Sequence, residues 1–179
     1  MPQIFTDRLL LREFCDDDLE ALAAIYGDYE LMKDLPMGPL NSQKTAEALE
    51  SFKKEWAKNK FGVWAIMHIK SKRLIGHCGL QKLGATDDIE VFYLIDKPYH
   101  NQGFATEAAF GALKWGFRNL NLDRIAAIAK PENKASLRVL EKLGFEFERY
   151  ALFYGLIVKL HYLSRGAFNA KFPEIKELP

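Results

Sequence analysis

Residues 100–108, with the sequence His-Asn-Gln-Gly-Phe-Ala-Thr-Glu-Ala, form the segment most suited to binding a charged ligand. They follow an apolar run at 91–95 and begin a segment with helical periodicity. The first N–H groups of a helix have no partner within the helix, and the helix dipole adds partial positive charge there. A strand, a tight loop with one glycine and a helix start therefore present free N–H groups to phosphate. The pattern predicts a site for a phosphorylated cofactor.

Two common phosphate-binding motifs are excluded by the composition of this loop. A dinucleotide-binding turn needs three spaced glycines after the first strand and an acidic residue about 20 positions later. Here Gly103 is the single glycine of the loop, which lies in the middle of the chain. A P-loop ends in Gly-Lys-Ser or Gly-Lys-Thr, and that ending is missing as well.

The elements on either side of the loop form a predicted βαβ unit. A strand at 89–95 precedes the loop, and a second strand is predicted at 124–129. Between them, small residues recur at helical spacing, so the helix can lie close to a sheet. These residues are Ala105, Ala108, Ala109, Ala112, Leu113 and Gly116. A strand, a helix and a second strand in this order predict two parallel strands joined by a crossover.

The rest of the chain completes a single mixed sheet. Upstream we predict a strand at 8–13, two helices capped by Asp17 and Ser42, and a hairpin of 61–69 with 73–80. Downstream, Asn133 caps a helix that ends at Gly144, and strands follow at 145–149 and 156–164. The fold class is α+β, with one mostly antiparallel sheet of about seven strands and about four flanking helices.

Composition limits the remaining possibilities. The 179 residues predict one domain at 1–179, with a core at about 6–165 and a peripheral tail that contains Pro173. Lys and Arg total 25 against 24 Asp and Glu, which favours neither nucleic acid nor membrane as a partner. Cys15 and Cys78 have neither metal-ligand nor disulfide spacing, and we expect a cytoplasmic protein without a metal.

Four blocks of the sequence resemble the GNAT superfamily of N-acetyltransferases, which use acetyl-coenzyme A. They lie at 6–12 (TDRLLLR), 90–96 (EVFYLID), 103–108 (GFATEA) and 133–145 (NKASLRVLEKLGF), in the order of the family. The likeness is closest to the branch related to ribosomal-protein N-terminal (alanine) acetyltransferases, and it extends to about residue 165. It implies the GNAT fold, whose sheet is splayed at the middle by a bulge in the central strand.

The resemblance also implies how the cofactor is held. Loop amides from Gln102 to Thr106, with the Thr106 hydroxyl, would bind the pyrophosphate, and the strand ending at Ile95 would pair with pantetheine. A backbone N–H near 92–94 would polarise the thioester carbonyl. The implied cofactor contacts are Tyr93, Leu94, Ile95, His100, Asn101, Gln102, Gly103, Phe104, Ala105, Thr106, Asn133 and Ser136.

Three positions depart from the family pattern. His100 stands where Gln or Arg is usual, and Asn101 replaces a common glycine. Phe92 occupies a position at which this branch often has glycine, so we expect it to narrow the acceptor side.

Glu90 and Ser136 are the candidate catalytic residues. An amine must lose a proton to attack a thioester, and a shielded carboxylate at Glu90 can accept that proton through water. Its alternative interpretation is a solvated turn carboxylate beside Asp87 and Asp88. The Ser136 hydroxyl can protonate the departing thiolate, or it can bond back to its own helix. Tyr93 is either an alternative acid or a core residue.

The predicted function is acetyl transfer directly from acetyl-CoA to a primary amine. The acceptor is a protein N-terminus or a small molecule, and the protein is a monomer or a homodimer. A near-neutral net charge argues against a strongly cationic acceptor. The alternative from another class is a non-catalytic module that binds acyl-CoA as a sensor.

Overall fold

A computed structural model describes residues 2–33 and 35–173 of the chain. Within these residues, eight strands form one sheet. They are β1 (Ile4–Phe5), β2 (Leu9–Arg12), β3 (Val63–His68), β4 (Arg73–Lys82), β5 (Ile89–Ile95), β6 (Arg124–Ala129), β7 (Glu146–Phe153) and β8 (Leu156–Ser164). Their order across the sheet is β1-β2-β3-β4-β5-β6-β8-β7.

Six α-helices lie among the described residues. They are α1 (Leu19–Gly27), α2 (Tyr29–Met32), α3 (Ser42–Asn59), α4 (Phe104–Asn119), α5 (Lys134–Leu143) and α6 (Arg165–Lys171). The prediction of a mixed GNAT-type sheet with flanking helices is confirmed, but it missed one strand and two helices. The two-residue strand β1 and the single turn of α2 are too short to show a periodicity, and α6 lies in the segment predicted as a peripheral tail.

The sheet opens between β5 and β6, its one parallel pair. Glu90 and Ala126 are the only residues of these strands that pair, so beyond them the strands diverge toward their carboxyl ends. The register of β4 with β5 is unbroken from Gly76–Ile95 to Lys82–Ile89, and the expected bulge in the central strand is therefore wrong. A bulge lies instead in β4, where Ile75 is the extra residue opposite β3.

Helices cover both faces of this sheet. Helix α4 packs on β4 and β5, and its small residues allow the close approach: a Cβ added at Gly116 would lie 2.7 Å from the Leu80 side chain. Helices α1 and α3 cover the opposite face around Leu22, Leu49 and Val63. Residues 89, 91, 93 and 95 of β5 face α4, and residues 92 and 94 face α1 and α3.

The packed domain extends past the predicted end of its core at residue 165. Phe168 on α6 is 1% exposed and packs against Phe110 and Phe117 of α4. The prediction of a peripheral tail therefore differs from the structure at residues 165–172, and residues 174–179 lie outside the described residues. None of the described helices has the length and apolar character needed to cross a membrane.

Candidate active site

A cavity of about 1280 Å³ occupies the opening between β5 and β6. Most of β5, the end of β6, the loop before α4 and the first turns of α5 line it on one side. On the other side it reaches α1, α2 and the turn between β7 and β8. The cavity therefore connects the predicted phosphate loop with the sheet face beneath α1 and α3.

The loop before α4 has the backbone expected of an anion site. Gly103 precedes the helix with a φ of +82°, and Asn101 has a φ of +58°, which is the left-handed region. Within residues 2–33 and 35–173, no group accepts a hydrogen bond from the N–H groups of residues 102–106. Gly103, Phe104, Ala105 and Thr106 also line the cavity, so the free N–H groups belong to its wall.

A network from the turn between β1 and β2 fixes this loop, and sequence reasoning missed it. The Glu107 carboxylate accepts hydrogen bonds from the Thr6 hydroxyl at 2.6 Å and from the Arg8 N–H at 2.8 Å. Arg8 also forms an ion pair with Glu107 and donates to the Gln102 carbonyl at 2.9 Å. Burial opposes ionisation of Glu107, but these hydrogen bonds and the Arg8 charge keep its pKa below the ordinary value.

Two loop side chains point back to the protein. The His100 Nε2 atom lies 2.7 Å from the Ile95 carbonyl oxygen, and the Gln102 amide donates to the Pro98 carbonyl at 2.9 Å. The family departures His100 and Asn101 therefore shape the loop, since one ties it to β5 and the other adopts a positive φ.

Tyr93 and Ser136 form a hydrogen-bonded pair across the cavity. The Tyr93 hydroxyl lies 2.9 Å from the Ser136 Oγ, and it joins β5 to α5. Burial raises the pKa of Tyr93, so its hydroxyl keeps its proton. The sequence alternatives for Ser136 did not include this partner, because the pair is 43 residues apart in the chain.

Asn133 caps α5 as predicted. Its side-chain oxygen accepts from the Ser136 N–H at 3.0 Å. The amide Nδ2 of Asn133 has no partner in the described part of the chain, and the residue lines the cavity. Capping therefore leaves one donor of Asn133 available to a ligand.

Glu90 is a buried carboxylate and not a solvated one. It is 2% exposed, and it accepts hydrogen bonds from the Gln81 amide at 2.8 Å and the Tyr154 hydroxyl at 3.0 Å. Burial raises the pKa of Glu90, and the two hydrogen bonds oppose that rise. The turn carboxylate Asp88 instead pairs with Arg124 at 3.1 Å. A buried carboxylate with a raised pKa in a cavity is suited to accept a proton.

Phe92 narrows the cavity on the α1 and α3 side. A Cβ built on Gly79 of β4 would meet the Phe92 ring at 3.1 Å, which shows that the ring lies over this glycine. Other apolar residues complete that wall, namely Leu31, Leu35, Pro36, Met37 and Phe52. Among the described residues, no group of three or more His, Cys, Asp or Glu side chains could hold a metal ion.

Comparison with known proteins agrees with this geometry. A family model described as an acetyltransferase (GNAT) domain matches residues 8–146. The uncharacterized N-acetyltransferase YnaD of Bacillus subtilis is 35% identical over 147 residues, which cover 82% of this chain and 84% of YnaD.

Solved structures share the fold. The crystal structure of a GNAT-family acetyltransferase from Bacillus anthracis has a TM-score of 0.79 and 28% identity, and the match covers 91% of this chain and 98% of that one. The spermidine N-acetyltransferase from Vibrio cholerae, solved with CoA and spermine, has a TM-score of 0.75 at 23% identity, covering 91% of this chain and 99% of that one. The predicted family is thus confirmed, and the sensor alternative is not favoured: the chain belongs to the GNAT acetyltransferase family and is an N-acetyltransferase.

Proposed function

We propose that this chain binds acetyl-CoA in the opening between β5 and β6 and transfers its acetyl group to a primary amine deprotonated by Glu90. One observation carries the proposal. The buried carboxylate of Glu90 lies in the same cavity as the free N–H groups of residues 102–106. The cavity therefore holds an anion site at one end and a proton acceptor at the other.

The residues present fit acetyl-CoA. The N–H groups of residues 102–106 and the Thr106 hydroxyl provide donors for a pyrophosphate. Beyond Glu90, no described strand pairs with β5 on its β6 side. The register with β4 points the backbone groups of Tyr93 and Ile95 to that side, and His100 already contacts the Ile95 carbonyl, so the Tyr93 C=O and the Ile95 N–H are free to pair with the pantetheine amides. The Nδ2 of Asn133 adds a further donor. Bound acetyl-CoA supplies the thioester, whose C–S bond breaks as the new C–N bond forms.

Glu90 takes the amine proton in this proposal. A carboxylate is a more efficient general base when its pKa is raised from the ordinary value toward the working pH. Burial moves the pKa of Glu90 upward, and hydrogen bonds from Gln81 and Tyr154 hold its orientation. Direct attack needs no protein nucleophile, and the backbone N–H of Tyr93, which points away from β4, is available to stabilise negative charge on the carbonyl oxygen.

Tyr93 is the proposed proton donor to the departing thiolate, with Ser136 as its hydrogen-bonded partner. Tyr93→Phe is expected to lower kcat about 10- to 100-fold, because general acid catalysis contributes at least that factor. The loss should shrink with an acetyl thioester whose leaving thiol has a lower pKa, since that thiolate needs less protonation.

Tyr150→Phe serves as the matched control for this variant, because Tyr150 is exposed on β7 and is not among the residues that line the cavity. Stopped-flow or steady-state thiol release measures both substrates. An equal loss with both leaving groups would assign Tyr93 a structural role alone.

The proposed acceptor is the primary amine of a protein N-terminus or of a small molecule. Thiol release from acetyl-CoA, measured with a panel of N-terminal peptides, polyamines, amino acids and aromatic amines, tests the function. Mass spectrometry of the product should show the acetyl group on nitrogen. Calorimetric binding of CoA together with no release above the hydrolysis rate for every amine would reject the proposal.

A further inference from the structure

Two polar groups are buried on the acceptor side of the cavity and have no partner. The Tyr26 hydroxyl and the His77 Nδ1 atom make no hydrogen bond in the described part of the chain. Tyr26 is 0% exposed and His77 is 6% exposed. Native proteins pair almost all such groups, so two exceptions side by side point to a missing partner.

Both residues belong to the same cavity as Glu90. Tyr26 comes from the last turn of α1, His77 comes from β4, and their rings meet edge to face with centroids 5.7 Å apart. His77 is the cross-strand partner of Leu94, and Gln81 is the partner of Glu90. These residues therefore share one sheet face with Phe92, whose ring centroid is 5.6 Å from that of His77.

The end of the cavity at Tyr26 and His77 is neutral. Burial raises the pKa of Tyr26 and lowers that of His77 to about 4, so at pH 7 one is a phenol and the other an uncharged imidazole. Phe52 and Phe14 pack beside them. The charged side chains of this part of the lining are paired: Glu30 is exposed and pairs with Lys33, and Lys97 pairs with Asp28. A charged ligand end would lose its hydration here without a counter-charge.

The spacing sets the length of the ligand. Leu94, which lies opposite His77, is four positions along β5 from Glu90, a distance of about 13 Å along a strand. An amine hydrogen-bonded to Glu90 and a hydroxyl hydrogen-bonded to His77 would then lie about 7 to 8 Å apart, after subtracting two hydrogen bonds of about 3 Å. Phe92 lies between the two ends and offers its ring for stacking.

From this geometry we infer that the acceptor is a small primary amine on an uncharged aromatic body, whose far end carries a neutral hydroxyl or amide that hydrogen-bonds to Tyr26 and His77. The inference rests on the proposed function and specifies its substrate class. It assigns Tyr26 and His77 a role in acceptor selection.

A pair of probes that differ by one hydroxyl tests the inference. Tyramine carries the phenol and phenethylamine lacks it. The wild-type protein is expected to acetylate tyramine with a kcat/KM at least tenfold higher than that for phenethylamine. Phenethylamine leaves Tyr26 and His77 without a hydrogen-bond partner, and this lowers its kcat/KM. Tyr26→Phe should bring the ratio of the two kcat/KM values to within about twofold of one. Tyr150→Phe, at an exposed tyrosine on β7, should keep the wild-type ratio.

Each of the following results would contradict the inference. Higher kcat/KM for spermidine or an N-terminal peptide than for tyramine overturns the inference while leaving acetyl transfer to an amine intact. A Tyr26→Phe variant with altered thermal stability and an unchanged ratio shows that an internal water satisfies the pair, and this too overturns the inference. If no amine is acetylated while CoA binds, both the inference and the proposed function fail. Tyramine protection of the protein against thermal unfolding gives a readout without turnover, and its absence at millimolar tyramine counts against the inference.

Discussion

Glu90→Gln is expected to lower kcat for acetyl transfer by about 100- to 1000-fold at pH 7. Glutamine keeps the size of the side chain and can still hydrogen-bond with Gln81 and Tyr154, but it cannot accept the amine proton. The affinity for CoA should stay within about twofold of wild type, since Glu90 lies outside the phosphate loop. Steady-state thiol release with calorimetric CoA binding measures both quantities.

The pH dependence has a definite sign. The ionised form of Glu90 is the base, so kcat should fall as the pH drops through the pKa of this carboxyl. Burial raises that pKa, and the acid limb of the profile therefore lies at higher pH than for an exposed glutamate. Glu90→Gln should lose this limb. Glu146→Gln, at an exposed position on β7, is the matched control and should keep the wild-type rate and profile.

Glu90→Gln should lower the activity without lowering the stability of the folded protein. A carboxyl with a raised pKa in the folded state contributes stability below its ordinary pKa, and that contribution is lost as the pH rises through the raised value. At neutral pH the ionised Glu90 therefore costs stability. Glu90→Gln should melt at the same temperature as wild type or higher in calorimetry at pH 8, and a strongly lowered melting temperature would show that the lost rate reflects misfolding.

Gly76→Ala is expected to reduce the free energy of unfolding by more than about 4 kcal/mol, which is a large part of the total for a domain of this size. Gly76 has a φ of +149°, and a Cβ built there would lie 2.0 Å from the carbonyl oxygen of Leu94. Neither backbone can move away easily, because Gly76 pairs with Ile95 and the Asp96 N–H donates to the Ile75 carbonyl at 2.8 Å.

Gly38→Ala separates the effect of this contact from that of backbone conformation. Gly38 also has a positive φ, +61°, but no atom of the described residues lies within 4 Å of the position of its added Cβ. Gly38→Ala should reduce the free energy of unfolding by about 1 kcal/mol. Denaturant unfolding followed by circular dichroism measures both variants. A cost for Gly76→Ala similar to that of Gly38→Ala would mean that the two strands separate more readily than their pairing indicates.

Most of the fold could be predicted from the sequence, because local signals and global packing agree. Strands at 89–95, 124–129 and 156–164 match the structure, and the small-residue stripe on α4 identified its buried face. Helix caps were less accurate. Asn41 caps α3 in place of the predicted Ser42, since either side chain can accept the same N–H bonds. The bulge lies in β4, and no local feature of the sequence gave its position.

The active site could be predicted only in part, because some of its contacts join residues that are far apart in the sequence. The phosphate loop and the cap at Asn133 are local in sequence, so spacing revealed them. Tyr154, which donates to Glu90, and Ser136, which pairs with Tyr93, lie 64 and 43 residues away in the chain, and pairing at such separations leaves no periodic signal. Tyr26 and His77 have no local sequence signal of a role in the site, because the lack of hydrogen-bond partners among the described residues is visible only in three dimensions.

The tight turn that joins β7 to β8 couples the last hairpin of the chain to the candidate base. Tyr154 and Gly155 both have positive φ angles, as in a two-residue turn, and this conformation directs the Tyr154 hydroxyl to Glu90. A nascent chain that has reached residue 145 already contains the phosphate loop and α5, yet its carboxylate lacks this donor. The orientation of the Glu90 carboxylate therefore depends on a hairpin that lies 64 residues further along the sequence.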